Sequence, residues 1–231
     1  MQRLRWIEPG EFLMGSPDDE LGLFDEGPQH RVRITEGFWL ADTACTQALW
    51  LAVMGKNPSR FSDNPENPVE QVSFDDVEIF LAKLQAQMPD GVRVELPTEA
   101  QWEYACRAGS IRAFSFGANI TPAQVNYDGN YPYAGAAKGE YRQRTVLVRS
   151  LPANAWGLYE MHGNVLEWCR DGLRDYGIVQ GSSAELDPPA SRALRGGAWF
   201  LHAWFARSAS RSRRERGSRY PDVGFRWSLR S

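Results

Sequence analysis

The stretch Gly157-Leu158-Tyr159-Glu160-Met161-His162-Gly163-Asn164-Val165-Leu166-Glu167-Trp168 decides how this chain is read. It carries no helical apolar stripe. Its apolar residues stand in short runs between glycine and asparagine, and the same is true of nearly everything beyond residue 110. Nine tryptophans and 21 glycines among 231 residues fit a loop-rich fold with aromatic anchors better than a helical bundle. A chain of this length buries enough surface to be stable without disulfides or metals. No repeat or low-complexity linker interrupts it, so one domain over residues 1–231 is expected.

Toward the N-terminus the signals become regular. Thr98 and Gln101 form a capping box that opens a helix with Trp102, Ala105 and Cys106 facing inward and Gly109 at its end. Ser73 and Asp76 open another, striped by Val77, Phe80, Leu81 and Leu84. Thr46 opens a short helix that Gly55 stops, with Leu49, Trp50 and Val53 on the face of Thr46. Strands are predicted at 4–7, 11–14, 31–34, 38–40 and 92–96. The first two flank Pro9-Gly10 and read as a hairpin.

Several chemistries are excluded by what is missing. His30, His162 and His202 are far apart, with no HExxH helix, and there is no GxSxG elbow, Walker loop or GxGxxG. Cys45, Cys106 and Cys169 are odd in number and none has CxxC spacing. They are therefore expected as buried free thiols rather than a disulfide frame or a zinc site. No run of about 18 apolar residues could span a membrane, and no signal-peptide pattern follows Met1, so a cytoplasmic location is expected. The net charge of -3 does not favour nucleic acid, although ten arginines against Glu215 and Asp222 make the stretch from Arg192 onward basic.

Four segments, in order, resemble the formylglycine-generating-enzyme (sulfatase-modifying-factor) family: Leu96–Ala105, Gly157–Trp168, Leu194-Arg195-Gly196-Gly197-Ala198-Trp199, and Gly224-Phe225-Arg226. Gly10–Pro17 and Pro68–Phe74 resemble it too. The resemblance implies an α+β, C-type-lectin-like fold with short strands and about three helices. It also implies a pair of copper-binding catalytic cysteines shortly after the RGG motif. Those positions here are Leu201 and Ala206, which cannot supply the thiolates that Cu(I) requires. The histidine-bearing helical domain of the related iron-dependent sulfoxide synthases has no counterpart in these 231 residues, so neither copper nor iron is expected. Two calcium sites are implied. The first comprises Asn126 and Glu140 by side chain and Tyr127 and Arg142 by carbonyl. The second comprises Glu160 and Glu167 by side chain and Gly163 and Val165 by carbonyl.

The chain is also similar to the variable proteins of diversity-generating retroelements, whose hypervariable segment runs from an RGG-W motif to a GFR motif. Here that segment is 195–226. Within it, Phe200, Leu201, His202, Trp204, Phe205, Ser210, Ser212, Arg214, Ser218 and Tyr220 are the candidate ligand-binding residues. All except Trp204 are reachable from an Asn codon by adenine-directed mutagenesis, and no Asn follows Asn164. Trp199 and Phe225 are expected inside as anchors, and Arg207, Arg211 and Arg226 in structural pairs. The resemblance implies a non-catalytic domain that binds a protein or small ligand, with retroelement diversification as a further reading. A metal-dependent oxidoreductase of the formylglycine-generating or non-haem-iron type is the alternative.

Overall fold

The computed structural model describes residues 2–22, 26–172 and 190–230. Three helices form where the capping residues predict them. In α1 (Gln47–Met54) the Thr46 hydroxyl accepts the Leu49 N–H at 3.2 Å, and Gly55 ends the helix at φ 78°. Both α2 (Phe74–Gln85) and α3 (Glu99–Arg107) open with the expected reciprocal capping boxes, Ser73 with Asp76 and Thr98 with Gln101. The end of α3 differs slightly: Ala108 takes the left-handed turn at φ 46°, one residue before Gly109.

The strands are β1 (Leu4–Ile7), β2 (Gly10–Met14), β3 (His30–Ile34), β4 (Phe38–Ala41), β5 (Arg93–Glu95), β6 (Leu166–Trp168), β7 (Ser191–Arg195), β8 (Arg211–Glu215), β9 (Val223–Gly224) and β10 (Ser228–Arg230). The expected β1–β2 hairpin does not form. Instead β1 pairs antiparallel with β4, and β2 with β3. Pro9-Gly10 redirects the chain between two sheets, and Gly10 packs so closely on Tyr104 that an added Cβ would lie 2.3 Å from its hydroxyl. The first sheet has the order β1-β4-β10-β5, so residues near both ends of the chain share it.

A second four-stranded sheet, β8-β7-β6-β9, positions the candidate segment. The antiparallel ladder from Ser191↔Glu215 to Arg195↔Arg211 closes residues 196–210 into one long excursion. Within it is a single 3-10 turn, Ala203–Ala206. Three apolar clusters support this frame. The largest joins α1 and α2 to Trp168, Phe225 and Trp227, with Trp50 and Phe80 stacked at 5.3 Å. A second surrounds Trp102 of α3, and a third sets Phe114, Tyr127 and Tyr133 beneath Ala203 and Ala206. All three cysteines are buried and free, as expected. Among the described residues no helix is long and apolar enough to cross a membrane.

Candidate functional site

The excursion between β7 and β8 begins at a point only glycine can occupy. Gly196 and Gly197 have φ of 97° and 75°. A Cβ on Gly196 would lie 3.0 Å from the Trp102 ring, and one on Gly197 would lie 2.9 Å from the Phe205 carbonyl. The chain therefore turns tightly over α3 and delivers Trp199 to the surface. Trp199 is not the buried anchor expected; it is half-buried, with its indole N–H donating to the Pro221 carbonyl at 3.1 Å. Phe225, at the other end, is fully buried as expected.

Much of the segment's positive charge lies beneath this surface. Arg195 pairs with Glu103 and Glu99 of α3, and Arg211 forks onto Glu99 with two bonds of 2.7 Å. Arg207 reaches Glu26 at 2.7 and 2.8 Å and Glu20 at 2.9 Å, while Arg226 holds both oxygens of Glu167 at 2.6 and 2.8 Å. All four arginines are buried.

The ten candidate residues separate into two groups and one misfit. Phe200 and His202 are exposed, and Phe205 is half-buried 6.2 Å from His202. Further along, Tyr220 is exposed under the Arg214 guanidinium at 5.2 Å, with Ser212 and Ser218 half-buried. Leu201 packs partly against the main core, and Trp204 lies on the third cluster beside Tyr133 at 6.1 Å. The misfit is Ser210. It is 3% exposed and its carbonyl accepts from Arg195, because the chain there is already turning into the buried start of β8. Ser210 is not on the face.

Three aromatics from distant loops complete the face, and the sequence reading missed them. Phe61 meets Trp199 edge-on at 5.4 Å, Tyr141 lies nearly parallel to Trp199 (16°) at 6.5 Å, and Tyr131 stacks on His202 at 3.9 Å. The Arg60 and Arg144 guanidiniums lie 5.4 and 5.6 Å from the centre of the Phe61 ring. Beside them opens a cleft of about 580 Å³ lined by Arg60, Phe61, Asp63, Arg142 and Arg144 among others. The available signal was Arg60-Phe61, a cation and an aromatic within an otherwise polar Asn/Pro/Ser loop. A larger cleft of about 710 Å³, with Phe12, Leu13, Tyr104, Ile111 and Trp156 on its walls, is lined by no candidate residue.

The family's catalytic cysteine positions are apolar here. Leu201 is half-buried and Ala206 is 1% exposed. The nearby thiol does not replace them. Cys106 lies 3.7 Å from His162 Nε2, but burial pushes its thiol up to about 12 and the His162 imidazole down to about 4. His162 Nδ1 donates to the Ala206 carbonyl at 2.6 Å, and Nε2 accepts the Ser115 N–H at 3.1 Å. A neutral ring with both nitrogens engaged cannot activate a thiol. Burial also raises Cys45 and Cys169 well above their ordinary values.

The two calcium sets differ. In the first, Asn126 is wholly buried and its Oδ1 has no hydrogen-bond donor, while its amide donates to the Arg144 carbonyl and Asn164 Oδ1. An orphaned buried oxygen fits a hard cation, although Glu140 points outward onto Arg142 at 3.0 Å. The second set does not fit in this arrangement. Arg226 and the Trp102 indole occupy the Glu167 oxygens, and Glu160 accepts the Arg149 and Leu151 N–H groups. Burial lifts the Glu160 carboxyl to about 7. Among the described residues no group of three His, Cys, Asp or Glu could hold a metal.

The short strands, the three helices and the long β7–β8 excursion define a domain of the C-type-lectin-like class. A family model for the sulfatase-modifying factor enzyme 1-like domain matches residues 2–230, and the chain belongs to that family. The formylglycine-generating enzyme of Bos taurus is 30% identical over 194 residues, 77% of this chain and 50% of that protein. The chain thus spans about half the length of the curated relatives it first matches. Among solved structures it is similar to PvdO from Pseudomonas aeruginosa, at TM-score 0.83 and 29% identity over 99% of this chain and 94% of that one. It is also similar to Treponema denticola variable protein 1, at TM-score 0.78 and 26% identity over 100% and 95%.

Proposed function

We propose that this domain is a non-catalytic binding module that presents the segment 195–226 to a protein or small ligand. The observation that carries this reading is the surface around Trp199. Exposed and half-buried aromatics from the candidate segment and from three framework loops meet there, and the family's thiol positions are Leu201 and Ala206. Aromatic and arginine side chains dominate binding hot spots, and clustered exposed rings have no folding role to explain them. Similarity to a variable protein supports the reading, as does the pairing of most segment arginines with carboxylates, which leaves little free charge for a nucleic acid backbone. Diversification of 195–226 belongs to the same proposal. Its test is an adenine-rich template repeat of this segment beside a reverse transcriptase gene. Calcium is proposed only at Asn126, Tyr127, Glu140 and Arg142, where chelation lowers the melting temperature if the ion binds the folded state.

The oxidoreductase alternative rests on the names of the curated relatives. One experiment separates the two readings. The domain is incubated with a cysteine-containing sulfatase-type peptide and copper or iron, and the products are weighed by mass spectrometry. No formylglycine above the enzyme-free control is expected, and metal-dependent turnover would overturn the proposal. A photo-crosslinker at Phe200 is expected to capture the partner, and one at the exposed Ile111, outside the face, is not.

A further inference from the structure

Building on the binding reading above, we propose that the cleft beside Trp199 takes a planar ring carrying an anionic substituent. Its lining sets three guanidiniums, Arg60, Arg142 and Arg144, against one carboxylate, Asp63. The arrangement of these groups matters more than their number. Arg60 and Arg144 both lie over the Phe61 ring, and Phe61 in turn abuts Trp199. A guanidinium resting on a ring keeps its in-plane N–H fork available, and that fork matches the paired oxygens of a carboxylate or phosphate.

The counter-charges present are weak competitors. Arg144 pairs with Asp63 at 2.5 Å and Arg142 with Glu140 at 3.0 Å, but Asp63 and Glu140 are solvent-exposed. Exposed pairs of this kind contribute little and yield to a better-placed anion. Arg60 has no carboxylate within ion-pair distance among the described residues, although its charge acts on the Glu70 carboxyl buried beneath the loop. Glu70 holds that loop in shape. Its Oε1 accepts the Phe61 N–H at 2.8 Å, and its backbone N–H donates to the Ser59 hydroxyl at 3.2 Å. The Arg60-Phe61 edge of the cleft is therefore organised before any ligand arrives, which lowers the ordering cost of binding. Trp199 meets Phe61 edge-on at 5.4 Å and lies nearly parallel to Tyr141, the residue before Arg142, so further ring surface adjoins the cleft. A flat ring on these aromatics brings its anionic group to the arginines.

The carboxylate and phosphate versions of this ligand are distinguished by four probes: AMP, adenosine, N-acetyl-tryptophan and N-acetyl-tryptophanamide. Binding is measured by isothermal titration calorimetry and located by chemical-shift changes at Trp199. At least one anionic probe is expected to bind about tenfold tighter than its neutral partner, the equivalent of one charge-assisted hydrogen bond. The stronger of the two acids identifies the preferred anion. Arg60→Ala should remove that advantage, whereas Arg93→Ala, an exposed arginine of β5 outside both the cleft and the candidate segment, should keep it. Melting curves report that both variants are folded. Equal binding of charged and neutral partners, or an unchanged preference in Arg60→Ala, would overturn the anionic assignment. So would no binding by any probe at millimolar concentration. Crosslinking at Phe200 is read separately, so loss of the ligand class and loss of the binding reading are different results.

Discussion

Four arginines and three aromatics of residues 195–226 come from one stretch of chain and face opposite ways. Arg195, Arg207, Arg211 and Arg226 point inward and tie the excursion to Glu99, Glu103, Glu26 and Glu167. Phe200, His202 and Tyr220 point outward with no carboxylate or core to serve. This reverses the ordinary distribution, in which arginine is exposed and phenylalanine is buried. Ion pairs with fixed geometry hold the loop from beneath, so its outer side chains are released from any part in folding. A surface held this way can change its outer residues without losing its shape.

The sharpest way to break this comparison is to remove a buried cation. Arg226→Ala leaves the Glu167 carboxylate buried with only the Trp102 indole as donor, and should cost about 3–5 kcal/mol in urea unfolding. If it costs no more than a surface substitution, the division between frame and face fails. Trp204 tests the boundary between the two. Although it lies in the candidate segment, it rests on Tyr133 and under the Arg207 guanidinium. Trp204→Ala should therefore cost about 2 kcal/mol, below the roughly 3–5 kcal/mol of a fully buried aromatic. Trp204→Phe should cost less than about 1 kcal/mol, because the buried indole N–H has no acceptor to lose.

Glu70 sharpens the comparison through pH. Burial raises its carboxyl from 4.5 to about 7, and its Oε2 has no partner. The folded state therefore holds the Glu70 proton more tightly than the unfolded chain. Its contribution to stability is complete below about 4.5 and is lost as pH rises through about 7. Glu70→Gln should raise stability at pH 8 by about 1–2 kcal/mol and change it little at pH 4, measured by thermal melts at both values. A gain of equal size at both would show that the charge on Glu70 is not the cause. The smallest effects belong to the face. Phe200→Ala and Tyr220→Ala should each stay within about 1 kcal/mol of the parent, because neither ring supports the core.

The helices were legible because their signals are local. Thr46, Ser73 and Thr98 each satisfy N–H groups within three residues, and no distant contact can reassign them. The strands after residue 160 were not. Leu166-Glu167-Trp168 is buried on both faces, so it shows no alternation, and its pairing with Val223-Gly224 joins residues more than 50 positions apart. The false hairpin at Pro9-Gly10 has the same origin: a turn signal specifies a change of direction and says nothing about which strand lies next to which.

By itself, the sequence determined the three helices, the free buried thiols and the absence of thiol at positions 201 and 206. The helices and the thiols follow from residue identity or from spacing within one turn, whereas positions 201 and 206 are picked out by the ordered family motifs. Only the tertiary structure decided which carboxylates the framework arginines meet, that Ser210 leaves the face, and that Arg60, Phe61, Tyr131, Tyr141 and Arg144 adjoin it. The added face residues lie on loops about 55 to 140 residues before Trp199, and Glu26, the partner of Arg207, lies further still. Burial and charge pairing are set by that packing, and no local pattern encodes it.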